Sequence, residues 1–179
     1  MESTFLHPAK VIRAAHLDEG VHVADFGAGS GFFTRAAARE IGPSGRVWAV
    51  DIQRDMLSHI KNLALVEGLQ NVEVVHGDVA RLGGSKLPDK QVDFVIAANI
   101  LFTLEDKEPL VAEIHRVLQF GGRALIIDWK DSFGGLGPHP SHVCTEAFAH
   151  ELFSKHGFSY LATIPAGEYH WGFVVRKKV

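Results

Sequence analysis

Cysteine is nearly missing from this chain: Cys144 is the only one in 179 residues. An intrachain disulfide is therefore excluded, as is a metal site built from cysteines, and a reducing compartment is expected. Long apolar runs are missing too. The most apolar stretch, Val92 to Phe102, is interrupted by Asp93 and Asn99 and is too short to span a bilayer. The first twenty residues, MESTFLHPAKVIRAAHLDEG, lack the continuous apolar core of a secretory signal. Positive charge is not in excess: 18 Lys and Arg stand against 21 Asp and Glu, so no global signal points to nucleic acid. The local Arg176-Lys177-Lys178 cluster reads as a solvated terminus. With no repeat, low-complexity stretch or linker, and 46% hydrophobic residues, the expectation is one cytoplasmic globular domain over residues 1–179.

What is present alternates. Apolar, partly β-branched runs at Val21–Phe26, Arg46–Asp51, Val72–His76, Val92–Ala98 and Arg123–Asp128 read as strands. Between them lie helical stripes: Phe32, Phe33, Ala36, Ala37 and Ile41; Leu57, Ile60, Leu63 and Ala64; Leu110, Val111, Ile114, Val117 and Leu118. Gly42-Pro43, Gly68 and Gly121-Gly122 stand where helix stops belong. Strand alternating with helix predicts a parallel sheet covered on both faces, because each right-handed crossover needs a helix. A further helix is expected over 143–156. Two closing strands, Phe158–Ile164 and Tyr169–Arg176, are joined by so short a connection that they must be antiparallel. Residues 1–20 offer one short amphipathic helix with Val11, Ile12 and Ala15 on a face. Phe32, Phe33, Phe148 and Phe153 are expected in the core.

The chemistry concentrates after the first strand, in VADFGAGSGFF. Gly27, Gly29 and Gly31 can take positive φ and admit a ligand close to the backbone. The loop leaves a strand at its carboxyl end, where open α/β sheets bind ligands. Asp51 closes the next strand twenty residues after Gly31, the spacing of an acid that holds two ribose hydroxyls. A dinucleotide would fit so far, but Phe32 occupies the third small-residue position of G-x-G-x-x-G, and Asp25 would repel a pyrophosphate while attracting a sulfonium or ammonium. Asp78, after the third strand, reaches the same edge. Three acids around a glycine loop suit a cation that carries a ribose and a base, and S-adenosylmethionine meets that description.

The series VADFGAGSG, VWAVDIQRDML, VVHGDV, LPDKQVDFVIAANILF and EIHRVLQFGGRALIIDW resembles the class I S-adenosylmethionine-dependent methyltransferases, most of all the small-molecule type of ubiquinone and menaquinone biosynthesis. The resemblance runs from about Val21 to Trp129 and resumes in the final hairpin. It implies an α/β, Rossmann-like, doubly wound sheet of seven strands, mostly parallel, with a C-terminal antiparallel hairpin. It implies S-adenosylmethionine as cofactor and S-adenosylhomocysteine as product. Asp25, Gly27, Ala28, Gly29 and Gly31 would surround the methionine part, Asp51 the ribose, Ile52, Asp78 and Val79 the adenine, and Asn99 the region of the sulfonium. Residues 1–20 would then be an N-terminal helical segment, 21–129 the cofactor-binding core and 130–179 the acceptor side. One departure is visible: Phe120 stands where the family usually has proline before the Gly-Gly turn.

The acceptor is less legible. Methyl transfer from a sulfonium is an in-line displacement in which alignment and desolvation matter most, and a base is optional. The expected wall is Asp128-Trp129-Lys130 and the glycine- and proline-rich segment through Pro140. His139, His142 and His170 are the candidate bases, with Tyr169 and Trp171 near the same mouth. The eleven histidines show no metal-ligand spacing, so no metal is expected. With no large cap insertion, the acceptor pocket is expected to be open or completed by a second subunit in a homodimer. Methylation of a small molecule leads; methylation of protein or RNA, a non-catalytic binding module and a dehydrogenase remain open.

Overall fold

The computed structural model describes residues 5–179; the expected N-terminal helical segment therefore lies partly outside the described residues. Its elements are α1 (Pro8–Ala14), β1 (His22–Phe26), α2 (Phe32–Ile41), β2 (Arg46–Asp51), α3 (Arg54–Val66), β3 (Val72–His76), β4 (Val92–Ala98), α4 (Glu108–Val117), β5 (Leu118–Trp129), α5 (Glu146–Lys155), β6 (Phe158–Thr163) and β7 (His170–Lys177). The described residues form one seven-stranded sheet in the order β3-β2-β1-β4-β5-β7-β6. Pairings among β1 to β5 are parallel, and β7 runs antiparallel to both β5 and β6. The expected closing hairpin thus inserts its second strand inward and leaves β6 at the edge. Among the described residues no helix is long and apolar enough to cross a membrane.

Alternation along the central strands feeds two cores. Val23, Phe94, Ile96, Leu125, Ile127 and Val174 pack with Val11 and Ile12 of α1 and Ala37 and Ile41 of α2. Ala24, Phe26, Val95, Ala97, Ile126 and Phe173 pack with Leu110 and Ile114 of α4 and Phe153 of α5. Both faces being buried explains why β1, β4 and β5 read as nearly unbroken apolar runs. Two expected core residues are not buried. Phe32 is 62% exposed, with the Arg35 guanidinium over its ring, because it opens the first turn of α2 on the solvent side; Phe148 is 51% exposed at the start of α5.

The sequence places a helix stop at Gly121-Gly122, yet α4 ends at Val117. Leu118 is already extended, and Lys177 Nζ donates to the carbonyls of His115 and Leu118 at 2.6 and 2.8 Å, closing the helix end. Gly121, at φ +73°, lies inside β5, where the register against β4 slips between Val92 and Phe94. Phe120, in the place of the expected proline, is covered by the ammonium groups of Lys90 and Lys177 at 4.2 and 5.2 Å from its ring centre.

Candidate functional site

The glycine loop leaves β1 where the strand order turns back, with β2 on one side and β4 on the other. Gly27, Gly29 and Gly31 all have positive φ, but they lack a Cβ for different reasons. A Cβ on Gly27 would lie 2.6 Å from Ile100 Cδ1, and one on Gly31 2.6 Å from Ile60 Cγ1. At those two positions the protein's own side chains crowd the space. At Gly29 the nearest atom would be Gly27 O at 3.9 Å, so of the three this one borders open space.

Asp51 ties the loop down. Its Oδ2 accepts from Gly29 N at 2.9 Å and its Oδ1 from Gln53 N at 2.8 Å, while Gly27 N and Ala28 N both donate to Val50 O at 2.9 and 3.1 Å. Each carboxylate oxygen has a second lone pair, so Asp51 stays able to accept from a ligand while holding the loop. Asp25 sits deeper, 2% exposed, and Thr34 Oγ1 donates to its Oδ2 at 2.6 Å. Burial raises its pKa from 3.8 to about 6, with the Thr34 hydrogen bonds opposing and Asp51 adding to the rise. Thr34 escaped the sequence reading, although a hydroxyl in the first turn after the glycines faces back toward the strand end.

The remaining cofactor candidates flank this loop. Asp78 Oδ1 accepts from Ala80 N at 3.0 Å and its Oδ2 lies 3.1 Å from Arg81 Nε. Ile52 is 61% exposed, directly after Asp51, whereas the Val79 side chain is buried in the core on the α4 and α5 side. Asn99 ends β4 in the left-handed region at φ +56°; its N–H donates to Ile127 O at 2.9 Å, and its buried Oδ1 has no partner among the described residues. A buried acceptor left unpaired costs free energy, so this amide oxygen is a ready contact for a donor-bearing ligand.

The acceptor side continues along the same sheet edge. Asp128 is opposite Trp171 and Trp129 is opposite His170 across β5 and β7. Asp128 is fully buried; it accepts from Phe102 N at 3.2 Å and Trp129 N at 2.8 Å, and burial lifts its pKa to about 6. The sequence offered it only as part of a wall. A cavity of about 710 Å³ lies between α1 and the turn joining β6 to β7, with Lys10 and Val11 on one side, Ile164, His170 and Trp171 on the other, and Lys130 among its lining residues. Nothing local in the sequence shows that α1 supplies this wall. Of the three candidate histidines, only His170 lines the cavity. His139 and His142 are exposed neighbours on a short 3-10 turn, and His139 Nδ1 pairs with Ser141 Oγ at 2.8 Å.

Asp128 makes a stability prediction. Its folded pKa of about 6 lies above the 3.8 of a free carboxyl, so its favourable contribution is complete below pH 3.8 and is lost as pH rises through 6. Relative to Asp128→Asn, the natural protein should lose about 2–3 kcal/mol of unfolding free energy between pH 4 and 7. Chemical denaturation of both proteins across that range measures it; parallel curves would show that the carboxyl ionises as freely as in the unfolded chain.

Comparison with known proteins agrees with this geometry. Residues 17–165 match the profile of a family described as a methyltransferase domain. A demethylmenaquinone methyltransferase of Listeria monocytogenes is 26% identical over 92% of this chain and 82% of its own length. A ubiquinone/menaquinone biosynthesis C-methyltransferase of Hahella chejuensis is 35% identical over 62% of this chain and 44% of its own. The crystal structure of an S-adenosylmethionine-dependent methyltransferase from Aquifex aeolicus superposes with a TM-score of 0.86, at 29% identity, covering 97% of this chain and 90% of that one.

Proposed function

Because this chain belongs to the methyltransferase-domain family and is an S-adenosylmethionine-dependent enzyme, we propose that it methylates a ring carbon of a small, planar, hydroxylated acceptor of the quinol type. The observation that carries this reading is the 710 Å³ cavity lined by His170 and Lys130 past the carboxyl end of β5, a size suited to one small organic molecule. The names of the Listeria and Hahella relatives supply the acceptor class.

The residues present fit the cofactor: Gly29 borders open space, Asp51 has acceptor capacity to spare, and the Asn99 amide oxygen is unpaired. Asp51 would take the ribose hydroxyls, Ile52 would cover the adenine, and Asp78 would accept from its amino group beside Val79. Asp25 and the loop Gly27, Ala28, Gly29 and Gly31 would enclose the methionine part with Asn99. When bound, S-adenosylmethionine supplies a methyl group on a sulfonium whose leaving thioether is neutral. The chain's own task is to align the acceptor carbon and keep water out. Buried Asp128 and Trp171 serve the second purpose.

The test is an assay with methyl-labelled S-adenosylmethionine and a short-chain demethylated naphthoquinol, alongside its oxidised quinone. Label is expected in the quinol alone, because the reduced ring is the electron-rich one. Cofactor binding without transfer to any quinol would overturn the acceptor assignment. Transfer to protein or RNA instead would move the enzyme to a macromolecular class.

A further inference from the structure

His170 is an imidazole placed where it should not be comfortable. It is 5% exposed, and neither Nδ1 nor Nε2 has a hydrogen-bond partner among the described residues. A neutral imidazole carries one N–H donor and one acceptor nitrogen, and leaving both unmet in a buried place is costly. Its ring lies against Trp129, centroids 4.2 Å apart, and the residue itself lines the cavity between α1 and the β6–β7 turn. The strand pairing sets it beside β5, which itself pairs with β4, the strand that Asn99 ends. With strands about 4.8 Å apart, that is roughly 10 Å from the backbone of Asn99, measured across β5.

We propose that His170 recognises the hydroxyl of the methyl acceptor, whose oxygen completes the hydrogen bonding of one of the two ring nitrogens. A phenol-type hydroxyl can donate to the bare nitrogen or accept from the N–H, whichever it meets, whereas a carbonyl can only accept and an ammonium only donate. Burial, with Lys130 adding a like charge, lowers the His170 pKa to about 4. The ring is therefore neutral near pH 7 and acts by hydrogen bonding, and a carboxylate ligand would gain no ion pair from it. The walls agree with a flat, uncharged partner: Val11, Ile164 and Trp171 are apolar, and the two nearby cations are not free to pair with it alone, because Lys130 Nζ donates to Gly167 O at 3.3 Å and Glu146 and Glu168 line the same cavity as Lys10.

Both nitrogens are shut from solvent in this conformation, so a ligand reaches them only if the side chains packed on the ring, Trp129 among them, give way. The segment over Trp129 packs closely on its ring. A Cβ on Gly137 would lie 2.7 Å from the Trp129 ring, and Gly134, Gly135 and Gly137 all have positive φ. Binding at His170 therefore carries its own signal, a change in tryptophan fluorescence.

This inference rests on the quinol-type acceptor proposed above, but its test needs no turnover. The probes are 1-naphthol and naphthalene, which share a ring system and differ by one hydroxyl, titrated into the full chain by tryptophan fluorescence. The natural protein is expected to prefer 1-naphthol by about ten-fold or more, the factor for satisfying a buried polar group. His170→Phe should bind both probes alike while S-adenosylhomocysteine binding, followed by calorimetry, is unchanged. As a check that needs no folded variant, the ¹⁵N signals of the His170 ring should move with 1-naphthol and not with naphthalene. Equal affinity of the natural protein for the two probes, a preference that survives in His170→Phe, or unmoved ring signals would each overturn the assignment. If the quinol is methylated while the naphthol preference survives in His170→Phe, this inference alone fails. If the hydroxyl preference depends on His170 and no quinol is methylated, the acceptor class fails and the hydroxyl-binding site stands.

Discussion

Replacing Asp51 by alanine is expected to weaken S-adenosylmethionine binding by about 100-fold or more, because charge-assisted hydrogen bonds are worth about 1.5–3 kcal/mol each and two ribose hydroxyls lose theirs together. The structure adds a second cost. The same carboxylate holds Gly29 N and Gln53 N, so the variant also loses the tether that sets the loop. Asp51→Asn separates the two contributions, since its amide oxygen can keep one of those contacts and its lost charge still weakens the ribose. Calorimetric titration with S-adenosylmethionine and S-adenosylhomocysteine measures both variants, and melting curves show that the sheet is intact. NAD run in parallel should give no heat, because an ionised Asp25 behind the loop opposes a pyrophosphate. Unchanged affinity of Asp51→Ala would mean that the end of β2 does not meet the ribose.

The sheet was legible because its signals are local. Five parallel strands were visible as apolar runs, and the Pro165–Glu168 connection forced the last two to be antiparallel. Where the reading slipped, a distant residue was responsible. Gly121-Gly122 looks like a helix stop, but the end of α4 is closed three residues or more earlier by Lys177, which arrives from the last strand. Phe32 fits the apolar stripe of its helix by spacing, yet its place in the first turn leaves it in solvent.

The candidate site divides along the same line. Asp51 and Gly29 lie on consecutive strand and loop elements whose spacing is set by a single crossover, so the sequence brought them together correctly. The acceptor side has no such rule. His170 reaches the cavity from β7, Lys10 and Val11 from α1 and Lys130 from the end of β5, positions far apart in the chain. Reading the histidines as a group put His139 and His142 with His170, and only the fold shows that the first two serve the surface of a 3-10 turn. A glycine loop built from adjacent elements leaves a motif; a cavity assembled from three remote ones does not.

That distinction within the glycine loop gives the other large effect. Gly29→Val should abolish cofactor binding in a protein that still folds. Its Cβ enters open space, so the fold bears only the cost of a β-branched residue at φ +51°, about 1–2 kcal/mol. Its methyl groups would occupy the room that a ligand needs. Gly27→Val should cost more stability, since its Cβ would stand 2.6 Å from Ile100 Cδ1 and the isoleucine must turn aside, adding overpacking to the same backbone strain for a loss of about 2–5 kcal/mol. Thermal melting and calorimetry on the two variants therefore separate the roles: Gly29→Val keeps its melting temperature within a few degrees and loses the ligand, whereas Gly27→Val melts at a clearly lower temperature. If Gly29→Val still bound S-adenosylmethionine, the ligand would have to lie elsewhere on the edge, and the loop would serve only to turn the chain from β1 into α2.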